Sequence, residues 1–357
     1  MPATLRHRAG PSPPPPVRRL GPLAPFPDTR ISRALDRRWL HYAFLSGEDD
    51  GLGMVANVAW LGPGRNAPEA EPRCTSILLL HDRPSGWTAS QFNAETAAPL
   101  WSSFRAGTGR DRPGRLEIAA TAGRPAVDLE LRRTGRPCTS QCAPFGPGHH
   151  LRWQSEPGIL ARGEWRTPGR RHRDVRAYGY HERVRGHWGW PELGGWVFGF
   201  TNDPGGASGA PPPTAVVFTL IQPDAPPDSA TGSVMVWRHG RLRRHFPRRR
   251  LRISVRGVLD RNRVRQVPTL AGQIGTPPMD PIPASLAVEA CMGRDRLLLT
   301  FTAEEAARVV IPSETSLRPF SVHEVIGPCH VDGILSGQRV GFRSRGIVEF
   351  AGGALDG

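Results

Sequence analysis

Apolar and polar residues alternate along much of the chain with a period of two, which places successive side chains on opposite faces of a β-strand. The segment 250–259 shows this most clearly, because Leu251, Ile253 and Val255 are separated by arginine and serine residues. Residues 302–308 combine a capping-box spacing with helix-forming residues and predict at most one short helix. Alternation, or a short apolar run between turns, predicts further strands at 39–44, 54–61, 75–81, 87–92, 116–118, 127–131, 178–183, 196–200, 215–221, 233–238, 286–290, 296–301, 321–326 and 346–350.

Many short strands and hardly any helix predict an all-β fold built of sandwiches or barrels. At 357 residues the chain can form two such domains in succession. Residues 203–213, rich in Gly and Pro, form the best linker, so we expect one domain at 30–202 and another at 214–357. Residues 1–29, rich in Pro and Arg, have too few apolar side chains to bury and are predicted to be a disordered tail.

The chain is strongly basic, with a formal net charge of +15. It contains no lysine, so all 47 basic residues are arginines, a bias that a GC-rich coding sequence produces whatever the function. The densest cluster, at 238–252, is typical of an exposed hairpin whose edges are protected by charge. It carries no recognised binding motif and no interleaved set of stacking aromatic residues, so nucleic-acid binding is not expected.

The cysteine and histidine patterns do not indicate a metal or a cofactor. Five cysteines do not describe a disulfide framework, which favours the cytoplasm, and Cys138 and Cys142 have no second pair to complete a zinc site. Single strand histidines such as His41, His81 and His323 are more often structural than catalytic. No apolar run approaches the ~20 residues of a membrane span and no signal peptide is evident, so we expect a soluble protein.

The stretch 178–200 carries the pattern most typical of a functional site. In a strand, Tyr178, Tyr180 and Glu182 project from one face, whereas His181 and Arg183 project from the other. This pattern also fits an ordinary β core, in which aromatic residues pack and buried polar groups hydrogen-bond to one another. After a turn rich in Gly, Trp and Pro, the next strand places large rings on one face; the rings of the turn and strand are Trp188, Trp190, Trp196, Phe198 and Phe200.

These strands resemble the lipocalin-like superfamily that includes carotenoid 1,2-hydratase (hydroxyneurosporene synthase) and, more distantly, tocopherol cyclase and fungal Diels-Alderases. The resemblance covers most of the chain after residue 29. It implies two consecutive lipocalin-like β domains with a hydrophobic ligand held between them or within a barrel. The residues that carry it are the aromatic strand with Trp39, Tyr42 and Phe44, the motif Gly179-Tyr180-His181-Glu182 with Gly186, the next tryptophan at Trp196, and the closing strands at 322–325 and 346–349.

Two residues depart from the family pattern. Arg183 and Arg185 stand where the family usually has a histidine and a tryptophan. A guanidinium close to Glu182 would favour the ionised carboxylate and lower its pKa, which would oppose its use as a proton donor. Placement of Arg183 on the opposite face of the strand weakens this objection.

Two functions fit the pattern. In the first, a cofactor-independent enzyme hydrates or cyclises a polyene, terpenoid or polyketide, with Glu182 as proton donor and Tyr180 or Tyr178 as its orienting or relaying group. In the second, the protein binds a hydrophobic lipid or pigment without chemistry, and Arg183 pairs with a ligand carboxylate. In both, the partner is a hydrophobic small molecule in a pocket lined by Tyr42, Trp188, Trp190, Trp196, Phe198 and Phe200.

Overall fold

The computed structural model describes residues 35–46, 51–62, 73–94, 104–105, 114–118, 124–168, 173–189, 193–205, 212–222, 231–268, 279–311 and 320–352. These residues form an all-β protein, as the sequence predicts, with two large curled sheets and two lipocalin-like halves. Within them, no helix is long and apolar enough to cross a bilayer. The segment 1–29, predicted to be a disordered tail, lies outside the described residues.

In the described part of the chain, the first sheet contains ten strands from the N-terminal half. Their order across the sheet is β4-β3-β2-β1-β10-β9-β7-β6-β5, and β8 pairs with β9. The strands are β1 (Asp36–Ser46), β2 (Gly53–Leu61), β3 (Arg73–Asp82), β4 (Gly86–Ala94), β5 (Phe104–Arg105), β6 (Gly114–Ile118), β7 (Ala126–Arg133), β8 (Cys138–Gly146), β9 (His149–Arg166) and β10 (Arg173–His187).

The second sheet contains eleven strands within the residues that the structure describes. Its order is β14-β13-β12-β11-β21-β20-β18-β17-β15, while β19 pairs with β20 and with the short parallel strand β16. The strands are β11 (Gly195–Asn202), β12 (Thr214–Gln222), β13 (Thr231–Arg238), β14 (Arg241–Pro247), β15 (Leu251–Val258), β16 (Val264–Gln266), β17 (Pro283–Met292), β18 (Asp295–Thr302), β19 (Glu305–Ile311), β20 (Phe320–Leu335) and β21 (Gln338–Ala351).

The two sheets have the same strand order. In the first sheet, β1 to β4 form a meander whose first strand pairs with β10, the last strand of that half. In the second sheet, β11 to β14 form the same meander, and β11 pairs with β21, the last strand of the second half. The strand before it along the chain, β9 or β20, lies on the other side of β10 or β21. The fold therefore consists of two topologically equivalent halves.

The described side chains form three apolar cores in this arrangement. The face of β1 that carries Trp39 and Ala43 packs against the second sheet and belongs to the largest core. The opposite face, with Phe44, is enclosed by the first sheet itself. In the same way, Trp196 of β11 faces the contact between the sheets, whereas Val197 lies in the core enclosed by the second sheet. Alternation along single strands thus supplies each half with one internal face and one shared face.

The predicted strands are confirmed. Two further strands, β9 and β19, differ from what the sequence predicts. β9 escaped prediction because Pro157 and Gly158 interrupt its pattern; the structure accommodates them with a shift in register against β10, and Gly158 has a φ of 81°. The residues expected to form at most a short helix instead enter β19, which pairs along its whole length with β20. Burial and the β-branched residues 309–311 override the weak helical preference of the alanines before them.

The densest arginine cluster forms the hairpin of β13 and β14, followed by a 3₁₀ turn at Arg248–Arg250. Some of its guanidinium groups have structural partners, since Arg244 pairs with Asp295 at 2.8 Å. β14 lies at one end of the second sheet, and β15 lies at the other with mostly exposed side chains. Charge at these end strands is the arrangement that limits pairing with other chains.

The chain passes from the first sheet to the second between His187 and Gly195. β11 therefore hydrogen-bonds within the second sheet, to β12 and β21, although it precedes the segment 203–213. The division into domains at 30–202 and 214–357, with 203–213 as the linker, stays a prediction.

Gly179 tests how tightly β1 and β10 fit together. A Cβ atom at Gly179 would lie 2.2 Å from the Phe44 ring and 2.5 Å from the carbonyl oxygen of Ala43. The backbone oxygen cannot move aside without distorting the strand. We therefore expect Gly179→Ala to lower the free energy of unfolding by about 1–3 kcal/mol in urea titrations. Gly341→Ala is the control, because its nearest contact would be an ordinary 3.4 Å. Equal stability of the two variants would contradict this fit.

Candidate functional site

Glu182, on β10, is buried in the contact between the two sheets, with 2% of its surface exposed. Its Oε1 atom accepts a hydrogen bond from the Trp39 indole at 2.9 Å, and its Oε2 atom accepts one from the Trp153 indole at 2.7 Å. Trp39 and Trp153 lie on the two strands that flank β10, and both stand opposite Val184. Because Val184 and Glu182 share a face, strand register alone brings both indoles to the carboxyl group.

The hydroxyl of Tyr180 connects Glu182 to Ser155. Tyr180 Oη lies 2.8 Å from Glu182 Oε2 and 2.9 Å from Ser155 Oγ, and all three side chains are buried. When Glu182 is ionised, Tyr180 donates its proton to the carboxylate. When Glu182 is protonated, it can donate to Tyr180, whose own proton then turns toward Ser155. This short chain of hydroxyl groups can therefore adjust to either protonation state of the carboxyl group.

The pKa of Glu182 is raised from 4.5 to about 8, chiefly because the charged form loses its hydration between the sheets. Repulsion from the nearby Glu349 contributes to this rise, whereas the hydrogen bonds donated by Trp39, Tyr180 and Trp153 oppose it. Burial is the largest of these effects. Glu182 is consequently mostly protonated at neutral pH.

The second sheet repeats the indole–carboxyl pair. The Trp196 indole, on β11, donates a hydrogen bond to Oε1 of Glu349 on β21. In each sheet the tryptophan stands opposite the residue two positions after its glutamate, so Trp196 and Glu349 occupy the same register as Trp39 and Glu182. Trp39 and Trp196 stack on each other with ring centroids 5.9 Å apart and an angle of 27° between the planes. The two equivalent pairs therefore meet at the interface.

The two halves differ in the residues beside these pairs. On β20, Glu324 stands opposite Glu349, at the position that Ser155 occupies opposite Glu182 on β9. On β1, His41 stands opposite Glu182, whereas Phe198 stands opposite Glu349 on β11. The second half thus carries an additional carboxyl group, and the first half carries an additional imidazole.

His41, Glu324 and Glu349 come together across the interface. One donor atom from each side chain lies within 4.8 Å of the others, and all three residues are buried. Burial lowers the pKa of His41 to about 3 and raises the pKa values of both glutamates, so the imidazole is neutral. The carboxyl groups of Glu324 and Glu349 also hydrogen-bond to each other. A neutral imidazole beside two carboxyl groups is a set of side chains that could hold a metal ion.

The predicted aromatic wall lies against this site. Phe198 and Phe200 stack on Tyr180 with centroids 4.8 and 5.6 Å away, and Trp188 meets Trp39 edge-on at 5.6 Å. Together with Trp196, they surround the indole–carboxyl pairs with apolar surface. Trp190 lies outside the described residues.

Tyr42 and Arg183 lie on the opposite face of the first sheet. Tyr42 stacks on His181 with centroids 4.1 Å apart, and Arg183 Nε lies 3.4 Å from the His181 ring. On this face Glu156 is buried, and its pKa is raised to about 7, chiefly by burial. The positive charges of Arg133 and Arg183 oppose this rise in the pKa. The guanidinium of Arg183 therefore faces a different carboxyl group from Glu182, as the alternation of side chains predicts.

Tyr178 is half-buried, with the Arg176 guanidinium 6.0 Å from its ring centroid. It shares a face with Tyr180 and Glu182, but four residues of extended strand separate its Cα atom from that of Glu182 by about 13 Å. The structure thus brings Tyr180, and not Tyr178, into hydrogen-bond contact with the carboxyl group. A role for Tyr178 stays a prediction.

Sequence reasoning set His41 aside as structural and assigned no role to Glu324 or Glu349. One partial signal pointed to Glu349, because the spacing Gly-x-x-Glu of Gly179–Glu182 occurs again at Gly346–Glu349, although it also occurs at Gly114–Glu117 and Gly189–Glu192. The positions of His41 and Glu324 carry no such signal, because their counterparts in the other half are of different residue types.

The raised pKa of Glu182 makes a prediction about stability. Between pH 4.5 and about 8 the folded protein holds a proton on Glu182 that the unfolded chain releases, so stability falls as the pH rises through this window. Glu182→Gln should reduce that slope by up to one proton, or about 1.4 kcal/mol per pH unit, in chemical denaturation. Glu156→Gln is the comparison, because the pKa of Glu156 is about 7 and its contribution to the pH dependence of stability ends near that pH. Identical slopes of Glu182→Gln and wild type between pH 7 and 8 would contradict this prediction.

No protein-family model matches the sequence, and no curated protein matches it. Among solved structures, the chain is similar to an AttH-like protein from Nitrosomonas europaea, with a TM-score of 0.58, 16% identity, and coverage of 94% of this chain and 99% of that one. It is also similar to kievitone hydratase from Nectria haematococca, with a TM-score of 0.52, 10% identity and coverage of 90% of both chains. These two similarities show that the chain shares their fold.

Proposed function

We propose that the protein is an acid catalyst that hydrates or cyclises a hydrophobic alkene, and that Glu182 is the proton donor. The observation that carries the proposal is a buried carboxyl group, protonated at neutral pH, set among aromatic side chains and connected to two hydroxyl groups. General acids are effective when their pKa lies near the working pH, and the raised pKa of Glu182 meets that condition.

In this mechanism Glu182 transfers its proton to one carbon of a carbon–carbon double bond, and a carbocation forms at the other carbon. Tyr180 then donates its hydrogen bond to the resulting carboxylate, and Ser155 donates to Tyr180, so no group is left without a partner. In hydration, water adds to the cation and releases a proton. In cyclisation, a second double bond attacks the cation, and loss of a proton closes the sequence. Either outcome returns one proton to the site.

The aromatic wall supports the charged intermediate. Trp39 and Trp153 donate to the carboxyl group, Phe198 stacks on Trp153, and Trp196 stacks on Trp39, so several aromatic rings lie close to Glu182, and the face of such a ring carries negative quadrupole potential. A cation over such a face gains ~0.5–2 kcal/mol, and more where water is excluded. The substrates that suit this surface are polyenes, terpenoids and polyketides, which offer double bonds in a hydrophobic skeleton.

Access to the site requires movement of the aromatic packing. Glu182 is 2% exposed and Phe198 is fully buried, so a substrate reaches the carboxyl group only when side chains between the sheets move apart. Closure over the substrate then excludes water from the cation, which favours cyclisation over uncontrolled capture.

The shared fold supports this proposal at the level of reaction class. Kievitone hydratase, with which the chain shares its fold, is by its name an enzyme that adds water. The finer assignment, a carotenoid 1,2-hydratase type of reaction, rests on the motif Gly179–Glu182 and its resemblance to that family.

A second candidate function is binding of a hydrophobic ligand without chemistry. It is favoured by Arg183 and Arg133, whose positive charges both act on Glu156 on the inner face of the first sheet. A lipid or pigment with a carboxylate could pair with these arginines, away from Glu182. In that case the polar group that matters is Arg183.

Glu182→Gln should abolish turnover while leaving the affinity for substrate within a few-fold of wild type. Removal of a general acid typically costs about 10²–10⁴-fold in rate, and glutamine keeps the shape and the hydrogen-bond acceptor. The substrate would be identified first, by native mass spectrometry and organic extraction of the protein purified from its own cells. Turnover of the extracted compound class would then be compared between variants.

Glu156→Gln is the matched control, because it removes another buried carboxyl group of raised pKa on the opposite face of the same sheet. We expect it to retain turnover. Undiminished turnover by Glu182→Gln would rule out Glu182 as the acid. Binding of the extracted ligand without product in any variant, lost on Arg183→Met, would support the second candidate instead.

A further inference from the structure

The contact between the sheets contains a second polar cluster that the proposed acid catalysis does not use. It comprises His41 of the first sheet and Glu324 and Glu349 of the second, with one donor atom of each within 4.8 Å of the others. The exposed fractions are 1% for His41, 4% for Glu324 and 6% for Glu349. Three ligand-type side chains therefore converge in a region from which water is excluded.

The cluster has donor atoms without partners. Among the described residues, neither ring nitrogen of His41 has a hydrogen-bond partner, and Oε2 of Glu324 has none. Native proteins pair nearly all such buried polar atoms, and an exception calls for an explanation such as a bound ion. One ring nitrogen of His41 lies within 4.8 Å of a carboxyl oxygen of each glutamate but is not hydrogen-bonded to either. A single cation among the three side chains would provide a partner for one ring nitrogen of His41 and for Oε2 of Glu324.

The fold itself does not require these residues. The position equivalent to Glu324 in the first half is Ser155, and the position equivalent to His41 in the second half is Phe198. The first half forms its sheet and its indole–carboxyl pair with Ser155 at the position of Glu324. The second half forms the same sheet and pair with Phe198 at the position of His41. A buried carboxyl group and a buried imidazole are costly additions that the architecture can do without.

We propose that His41, Glu324 and Glu349 bind a divalent first-row transition-metal ion such as Zn²⁺. Two carboxylates balance its charge, the imidazole is neutral and ready to coordinate, and one nitrogen with two oxygens suits zinc better than calcium, which prefers oxygen alone. The metal takes the place of the proton that the hydrogen-bonded carboxyl groups otherwise share. The Trp196 indole, which donates to Oε1 of Glu349, orients that ligand.

Three protein ligands leave a coordination position open, which is the arrangement of catalytic rather than structural zinc sites. That position would hold a water molecule or an oxygen atom of the ligand. The metal site goes beyond the proposed function, because it holds whether or not Glu182 donates a proton. Its test therefore measures metal binding and not turnover.

The full-length protein is first treated with EDTA and then titrated with Zn²⁺, and the metal retained after gel filtration is measured by mass spectrometry. Co²⁺ is bound in parallel as a spectroscopic substitute. We expect about one ion per chain, a visible Co²⁺ absorption band of a nitrogen- and oxygen-coordinated site, and a higher melting temperature with metal. A wild-type protein that retains no metal would overturn the proposal.

The diagnostic variants copy residues that the fold already uses at the equivalent positions. Glu324→Ser and His41→Phe should each weaken metal binding by at least about 100-fold, since loss of even an outer hydrogen-bond partner costs 10–100-fold. Glu182→Gln, which removes the equivalent carboxyl group that lies outside the cluster, should retain the metal. If either diagnostic variant fails to fold, as judged by circular dichroism, the other variant and the Co²⁺ spectrum of wild type decide.

Surface histidines provide the competing explanation. His149 and His187 lie with ring centroids 5.1 Å apart and could take up zinc adventitiously. His149→Ala should leave the stoichiometry and the Co²⁺ band unchanged. Loss of metal from His149→Ala, with retention by His41→Phe, would overturn the proposed site. Failure of Glu182→Gln to lose activity would instead concern only the acid, so the two proposals fail separately.

Discussion

The hydrogen bond from an indole to a buried glutamate is the constraint on which this structure depends. A carboxyl group removed from water must find donors, or it costs several kcal/mol. Glu182 finds them in Trp39 and Trp153, which lie on the strands at either side of it. A one-residue slip of either strand would turn its indole to the other face. The carboxyl group and its indoles therefore fix the register of three central strands, and the same strands carry the surface that meets the second sheet.

The repeat of this interaction in the second half explains how the site is both symmetric and specific. Trp196 and Glu349 reproduce the pair, so the scaffold of each half is the same. Function can then arise from the positions at which the halves differ, because a change there leaves the shared framework intact. Glu324 in place of a serine, and His41 in place of a phenylalanine, are such differences. They put titratable groups between the sheets while the stacked indoles hold the sheets together.

The sequence predicts the local part of this picture. Period-two alternation correctly places Glu182 and Arg183 on opposite faces of β10. It also places Trp39 and Tyr42, three residues apart, on opposite faces of β1, although the sequence prediction put Tyr42 in the same pocket as Trp196. What alternation cannot supply is partnership between distant strands. Trp39 and Glu182 are 143 residues apart, and Trp196 and Glu349 are 153 apart. Only the order of strands in the sheets brings them together, and that order was not readable from the spacing of apolar residues. His41 was set aside because single strand histidines are more often structural, and the sequence does not show that Glu324 and Glu349 of the other sheet approach it.

The polar side chains between the sheets lie apart from the two cores that each sheet encloses. Each sheet encloses an apolar core of its own, so the fold of each half does not depend on the polar cluster at the interface. Unpaired polar atoms and carboxyl groups of raised pKa lower the free energy of unfolding. The burial of apolar side chains in the other two cores offsets this loss. Among the cores formed by the described residues, the interface is consequently the one whose packing a ligand could loosen without unfolding either sheet. The two halves share the indole–carboxyl pair, and beside that pair they differ in His41 and Glu324, so the differences at these positions place an imidazole and an extra carboxyl group next to the protonated Glu182 without altering the shared framework.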